Sequence, residues 1–410
     1  VHPVDTTAAA LAPTGVARPD RAARRARIAT LYTFGANGAL YGAWVPWIPE
    51  IKADLRLSAG VLGFALLGVA IGSMVSLPLG GAAAVRFGSP RAIRAAFVAT
   101  CVLAVLPGLA SNGVTLFVVL FVWGLAVAAC DVTMNVQAVT VERRYGRSVL
   151  SGFHAMLSLG ALVGAALGSL GAAFSMPVSL HLGLVAAVLL AGWLPMSRWF
   201  VPDSVDEDAQ ADAKAPPLFA RPSGRLLVFG AVGFIVLSSE GAVADWSGVY
   251  LRENLAVDVG AASLGFVAFS GTMTIGRLLG DRVLTRFGSR RTLQWLCALA
   301  ALGLGGGLLS GNPIGTVAGF AVLGLGLSCT FPALVSTAGS GSAHPGASIA
   351  AVTTCGYVGF LVGPPGIGAL TELVGLRLSL GVLPVLLVVA LALVALSVPH
   401  RTTARGRRAS

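Results

Sequence analysis

The chain has 410 residues, 56% hydrophobic and only 11% charged, with a mean hydropathy of +0.84. A soluble domain carries about a quarter charged residues; here apolar runs of roughly 20 residues, enough to cross a bilayer as a helix, recur along the whole chain, and the alternating segments of a membrane β-barrel are absent. The formal charge of +11 sits in short loops and tails with no interleaved exposed aromatics, which excludes nucleic acid as a partner and follows the positive-inside rule.

In chain order, residues 1–27 read as a disordered cytoplasmic tail, Ala-rich and then Arg-rich, with no cleavable signal behind it. Spans follow at about 28–49, 59–83, 93–111, 114–141, 149–174 and 177–197, making an amino-terminal bundle over 28–197. Residues 198–225 are a polar linker carrying Asp203, Asp206, Glu207, Asp208 and Asp212. Within it, residues 203–216, acidic and Pro-ended, are expected to have no fixed structure. Further spans at about 226–251, 259–283, 292–310, 313–338, 346–371 and 376–398 make a second bundle over 226–398, followed by a basic tail, 399–410. The expected fold class is therefore all-α, with about twelve transmembrane helices in two six-helix bundles. Arginines mark one side in both tails and in the connections after the second, fourth, sixth and eighth spans, so both termini are expected in the cytoplasm of a bacterial inner membrane.

The bundles read as repeats. "VRFGSPR" (85–91) matches "TRFGSRR" (285–291) without gaps, and the ladder Gly68, Gly72, Ser76, Gly80 matches Ala268, Thr272, Gly276, Gly280. With one residue of slip, "GALVG" (160–164) matches "GFLVG" (359–363). Tandem six-helix repeats are a transporter architecture, with a solute site near the midplane.

Charges inside spans cost about 2.5–3.5 kcal/mol each on insertion scales, so each is a functional candidate. Glu240 lies mid-span, and aligning "NGALYGAW" (37–44) with "EGAVADWS" (240–247) puts Asn37 at a matching depth. Asp131 and Asn135, four apart, share a helix face, and His154 lies at a similar depth on the next span. Glu240 is either a proton-exchanging acid or a structural one held neutral by helix carbonyls; Asp131 either works in the site or locks its span to the next through His154. Arg277 and Asp281, also four apart, read as a structural clamp, and Asp245 as a partner for Arg252 or a cap. Trp44, Trp246 and Tyr357 are candidates to stack on a solute ring; aromatics near span ends are otherwise interface anchors. "GFLVGPPGIG" (359–368) predicts a kinked helix.

With its repeats, its polar linker and its basic Gly-containing loops, the chain resembles the major facilitator superfamily over about residues 28–398. "CDVTMNVQAVTVE" (130–142), "SGFHAMLSLGALVG" (151–164), "EGAVADWSGVYLR" (240–252) and "GRLLGDRVLTRFGSRR" (276–291) are similar to its fucose-permease-related bacterial branch. The resemblance implies alternating-access transport, a cavity lined by the first, fourth, seventh and tenth helices, and gating loops at Arg86, Gly88, Arg91 and at Arg277, Asp281, Arg286, Gly288, Arg291. The family's loop has an acid shortly before the glycine; Val85 and Thr285 stand there instead, so the first-half gating ion pair is in question.

The function expected is a proton-coupled permease, a symporter for a small polar solute such as a sugar, acting as a monomer. A multidrug or metabolite efflux antiporter of the same superfamily is the alternative, and a membrane enzyme or sensor a weaker one. No cofactor is expected: there is no phosphate-binding G-x-x-x-x-G-K-[ST] loop and no H-E-x-x-H, and the five cysteines lie in apolar runs without the spacing of a metal site.

Overall fold

The computed structural model describes residues 20–146, 149–203, 224–339 and 345–397, which form helices and turns without a strand. The helices are α1 (Arg21–Trp44), α2 (Ala59–Phe87), α3 (Ser89–Leu103), α4 (Gly113–Tyr145), α5 (Leu150–Ala173) and α6 (Val178–Met196) in one bundle. The second bundle holds α7 (Gly224–Asn254), α8 (Leu264–Phe287), α9 (Ser289–Ser310), α10 (Pro313–Leu327, resuming at Thr330–Gly339), α11 (Pro345–Val374) and α12 (Leu376–Ser397). Eleven are long and apolar enough to cross a membrane. The exception, α1, is diluted by arginines and by polar groups along the face it turns inward.

Small residues set the helix spacing. A Cβ on Gly38 would stand 2.1 Å from the Leu157 carbonyl oxygen, and one on Gly160 only 1.9 Å from that of Gly35. Thus α1 and α5 touch backbone to backbone, as membrane helices do where small residues line the seam. In the second bundle Gly359 and Gly363 meet the carbonyls of Phe234 and Ser238 on α7 in the same way, at 2.3 and 2.8 Å. Other features repeat as well: Gly88 and Gly288 have φ of +79° and +76°, and Asn112 and Asn312 accept from the amides of Thr115 and Gly315 to cap α4 and α10. The "GALVG" and "GFLVG" segments therefore occupy equivalent seams.

That equivalence corrects one alignment. Gly160 contacts Gly35, and Gly359, 199 residues later, contacts Phe234, also 199 residues after Gly35. In this register Tyr41 matches Glu240, and Asn37 matches Val236. The expected Asn37–Glu240 correspondence is off by one helical turn, because similar "GA" pairs recur at that spacing and a sequence match cannot choose between turns.

The segment boundaries also shift. Residues 21–27, expected in a disordered tail, open α1: Asp20 caps it by accepting from the Ala23 amide at 2.6 Å, and Ala23 and Ala26 are buried. Arg25 and Arg27 lie over the rings of Trp199 and Tyr145, so alanines face the core while the guanidinium groups reach its rim. Residues 198–203, the start of the expected linker, are tied down, Asp203 included although it opens the stretch expected to have no fixed structure. Gln137 clasps the Val201 backbone in both directions and donates to the Ser89 hydroxyl. Asp203 accepts from the Ser89 amide at 2.7 Å and hydroxyl at 2.5 Å and from Thr140 at 3.2 Å. A carboxylate thus caps α3 at the loop whose own sequence offers Val85. The rest of the expected linker and tails, 1–19, 204–223 and 398–410, lies outside the described residues.

Loss of this cap has a measurable consequence. Asp203→Ala should destabilise the protein by about 0.5–2 kcal/mol, the usual cost of losing an N-cap, and lower its melting temperature in detergent. Asp203→Asn, which keeps an acceptor, should recover most of the difference.

Candidate functional site

The two bundles enclose a cavity of about 280 Å³. Its polar wall comes from Asn37 and Tyr41 on α1, Asp131 on α4, Ser158 on α5, Glu240 on α7 and Arg277 on α8. Its apolar wall is Phe266, Phe269 and Met273 on α8 with Phe360 on α11. A larger groove of about 620 Å³ runs over the outer face of α2–α4, but alanines, Leu103 and Phe87 line most of it. It offers a polar solute little beyond Arg91 and Thr133, so the interbundle cavity is the better site.

Charge in the cavity is organised around Arg277. Its Nη2 lies 3.5 Å from Glu240 Oε1, its Nη1 donates to Ser158 Oγ in the other bundle at 3.1 Å, and its Nε approaches the Ser328 carbonyl at 3.4 Å. The expected local clamp with Asp281 rests on a side chain outside those the structure describes. The long arginine side chain turns toward the cavity and finds a tertiary carboxylate. Of Asp281 the structure describes the backbone alone, in α8.

The other expected residues divide. Asn37 is buried in the cavity wall with its Oδ1 lacking a hydrogen-bond partner. Asp131 lines the cavity, and it also lines a vestibule of about 540 Å³ that follows α4 past Asn135 and Val139 to Arg143. Asn135 donates to the Asp131 backbone carbonyl at 2.8 Å, a bond within one helix. His154 does not lock α4 to α5; its ring stands edge-on to Phe34 at 5.3 Å. Tyr357 is exposed on α11, within electrostatic reach of Asp131 and Glu240.

Trp44 and Trp246 are packing groups here and do not line the central cavity. Trp44 meets Trp123 edge-on at 6.2 Å. Trp246 is fully buried and donates to the Pro364 carbonyl at 3.0 Å. Gln137 is the buried clasp of the Val201 backbone. Arg86 and Arg286 lie over the neighbouring Phe87 and Phe287 rings, and Arg91 and Arg291 are exposed.

Between the cavity and the end opposite these arginines, here called the far end, the bundles are fastened together. Lys52 pairs with Glu253, and Arg252 lies 3.5 Å from Glu50. Glu372 on α11 accepts from the Gly60 amide of α2 at 2.7 Å, and Ser263 donates to Ser169 at 2.5 Å. Arg252 therefore serves Glu50 and not Asp245, contrary to expectation. Burial pushes the Glu50 carboxyl up, against the pull of Arg252.

Two tandem six-helix bundles around a polar central cavity define a membrane transporter. The profile of the Major Facilitator Superfamily matches residues 30–364 and 250–410, and the chain belongs to that family. It is 31% identical over 370 residues to an uncharacterized MFS-type transporter of Yersinia pestis, covering 89% of this chain and 94% of that one. It is 34% identical over 367 residues to the membrane protein MosC of Rhizobium meliloti, covering 89% and 88%. Its fold is similar to that of the nucleoside transporter NupG, with a TM-score of 0.70 at 14% identity over 93% of this chain and 100% of that one. A bacterial homolog of the human lysosomal transporter Spinster, inward-facing and occupied, gives a TM-score of 0.72 at 14% identity over 90% and 95%.

Proposed function

We propose that the protein is a proton-driven secondary transporter of a small polar solute, working by alternating access in a bacterial inner membrane with both termini in the cytoplasm. The observation that carries this reading is the cavity in which Arg277 links Glu240 of its own bundle to Ser158 of the other. A residue that spans the bundle interface at the solute's position can translate solute contact into relative movement of the halves. In this reading the clasped far end is the periplasmic side, and the vestibule along α4 is the cytoplasmic approach. The solute offers an acceptor to Arg277 and a donor to Glu240, Asn37 or Asp131, as a sugar or nucleoside hydroxyl does, and rests its apolar face on Phe266, Phe269 and Phe360. The protein acts as a monomer, since each half supplies walls to one complete site.

That aromatic wall also supports a second reading, efflux of an amphipathic compound. A thermal-shift screen of the purified protein against sugars, nucleosides, organic acids and lipophilic cations separates the two. A cognate solute at 100 times its Kd should stabilise the protein by about 2.7 kcal/mol, and Arg277→Gln should abolish the shift for a polar solute. Stabilisation by lipophilic cations alone, undiminished in Arg277→Gln, would favour efflux.

A further inference from the structure

Beside the central cavity lies a second chamber of about 30 Å³ at the bundle interface. It has room for about one or two water molecules. Its walls come from four helices: Tyr41 and Trp44 of α1; Leu66, Leu67, Val69 and Ala70 of α2; Asp245 of α7; and Phe360, Leu361, Pro364 and Pro365 of α11. Asp245 lies farther along α7 than Glu240, toward the end where Glu253 meets Lys52. Tyr41 and Phe360 line the chamber and the central cavity alike, so these two side chains partition one from the other.

The chemistry of this chamber is one-sided. Tyr41 is the titratable group facing Asp245 from α1; α2 and α11 contribute apolar side chains, and no lysine, arginine or histidine lines the walls. On α7 itself the nearby charge, Glu240, is engaged by Arg277. Pro364 and Pro365 have no amide hydrogen, so the helix offers no donor to the carbonyls four residues earlier, those of Phe360 and Leu361. The Phe360 carbonyl is directed at α7, its oxygen 3.3 Å from where a Cβ on Gly241 would stand, one turn before Asp245. An ionised carboxylate in this chamber would face carbonyl oxygens and hydrocarbon without a countercharge, which is costly. Tyr41 supplies one O–H donor to the chamber, and a carboxylic acid would bring a second without bringing a charge.

We propose that Asp245 is the proton-binding residue that couples pH to the conformational switch: the bundles close over it at the far end when it is protonated, and it ionises when far-end opening wets the chamber. Glu240 and Arg277 then form the solute-binding pair. The proposal deepens the transport reading above and rests on it. The proton balance is simple: Asp245 gains one proton from water on one side and returns it to water on the other, and no other bond is made or broken. Tyr41, shared by both spaces, is the hydroxyl through which a proton passes between chamber and cavity.

The test uses the full chain in lipid nanodiscs, without solute, carrying spin labels at Leu109→Cys and Leu309→Cys, both exposed near the far end, with the exposed Cys355 replaced by serine. Protonation favours the closed form, so raising pH should increase the open-to-closed ratio, by up to about tenfold per pH unit for one proton. Asp245→Asn should hold the far end closed and abolish the pH dependence, while Glu240→Gln should retain it. If Asp245→Asn does not fold, Asp245→Glu takes its place and should move the midpoint by at least about half a pH unit. A wild-type ratio that does not respond to pH, an Asp245→Asn response equal to wild type, or an unmoved midpoint in Asp245→Glu overturns the proposal. Proteoliposome uptake of the solute found by thermal shift keeps the two readings apart. Proton-driven accumulation that survives in Asp245→Asn leaves the transporter reading standing and removes Asp245 from it.

Discussion

Gly160→Leu should prevent the amino-terminal bundle from assembling. A Cβ there would stand 1.9 Å from the Gly35 carbonyl oxygen, with the Gly35 carbonyl carbon at 2.8 Å. Ordinary overpacking costs about 1–3 kcal/mol because side chains can shift. Here the obstacle is helix backbone, so α1 and α5 must separate along a seam that Gly38, Gly42 and Gly164 also hold at contact distance. The expected result is loss of the monodisperse peak on size exclusion after detergent extraction. Gly359→Leu, against the Phe234 carbonyl at 2.3 Å, should do the same to the second bundle. Gly152 is the control: nothing lies within 4 Å of its Cβ position, and Gly152→Ala should gain roughly 0.5–1 kcal/mol from helix propensity. A Gly160→Leu protein that elutes and melts as wild type would mean that the two helices are not seamed at this register.

Separating the Glu240–Arg277 pair should have its large effect on transport and a small one on stability. The side chains are 24% and 42% exposed, so the pair itself stabilises the fold by only about 1 kcal/mol. For transport the single variants differ from wild type in what they leave behind. Arg277→Gln removes the donor that reaches Ser158 and leaves Glu240 without its countercharge. Glu240→Gln leaves Arg277 without its own. Each variant removes a contact to the bound solute, so uptake in proteoliposomes should fall by at least about tenfold in each, the equivalent of about 1.4 kcal/mol of lost binding. Exchanging the residues, Glu240→Arg with Arg277→Glu, should restore the melting temperature but not uptake, because only the original order places the guanidinium within reach of the opposite bundle. If the exchanged protein transports as wild type, the pair is a structural tie and the solute binds elsewhere. The same assay separates this pair from Asp245: the pair's variants should lose solute recognition at every pH, whereas Asp245→Asn should bind solute and fail to accumulate it.

Much of this molecule is determined by the sequence on its own. Run length and scarcity of charge dictate membrane helices, because an unpaired backbone or charge in hydrocarbon is costly wherever it falls. The arginine-marked loops order those helices, and the repeated "RFGS" and glycine segments divide them into two equivalent bundles. Mid-span Glu240 stands out for the same reason of cost, and so does Asn37. Each of these properties belongs to one residue or one helix, and can be read without knowing the neighbours.

Pairing is different, and only the tertiary structure decided it. Local spacing along one helix does not reveal that Arg277 reaches Glu240 on another helix, because a long flexible side chain finds partners that only the packed cavity supplies. Gln137 finds its partner only when the chain after α6 returns to it, with Val201 at its side. Asp203 was assigned to a polar linker by composition, yet its carboxylate completes a loop more than a hundred residues earlier. Trp44 and Trp246 are candidates to stack on a solute by residue type, but in the packed bundles both rings are enclosed. Asp245 shows the point most plainly. Position along α7 suggests a partner for Arg252 or a cap, whereas its surroundings are made by α1, α2 and the proline pair of α11. A carboxylate's partners depend on which helices pack against it, and that packing is set by backbone contacts at glycines far away in the chain.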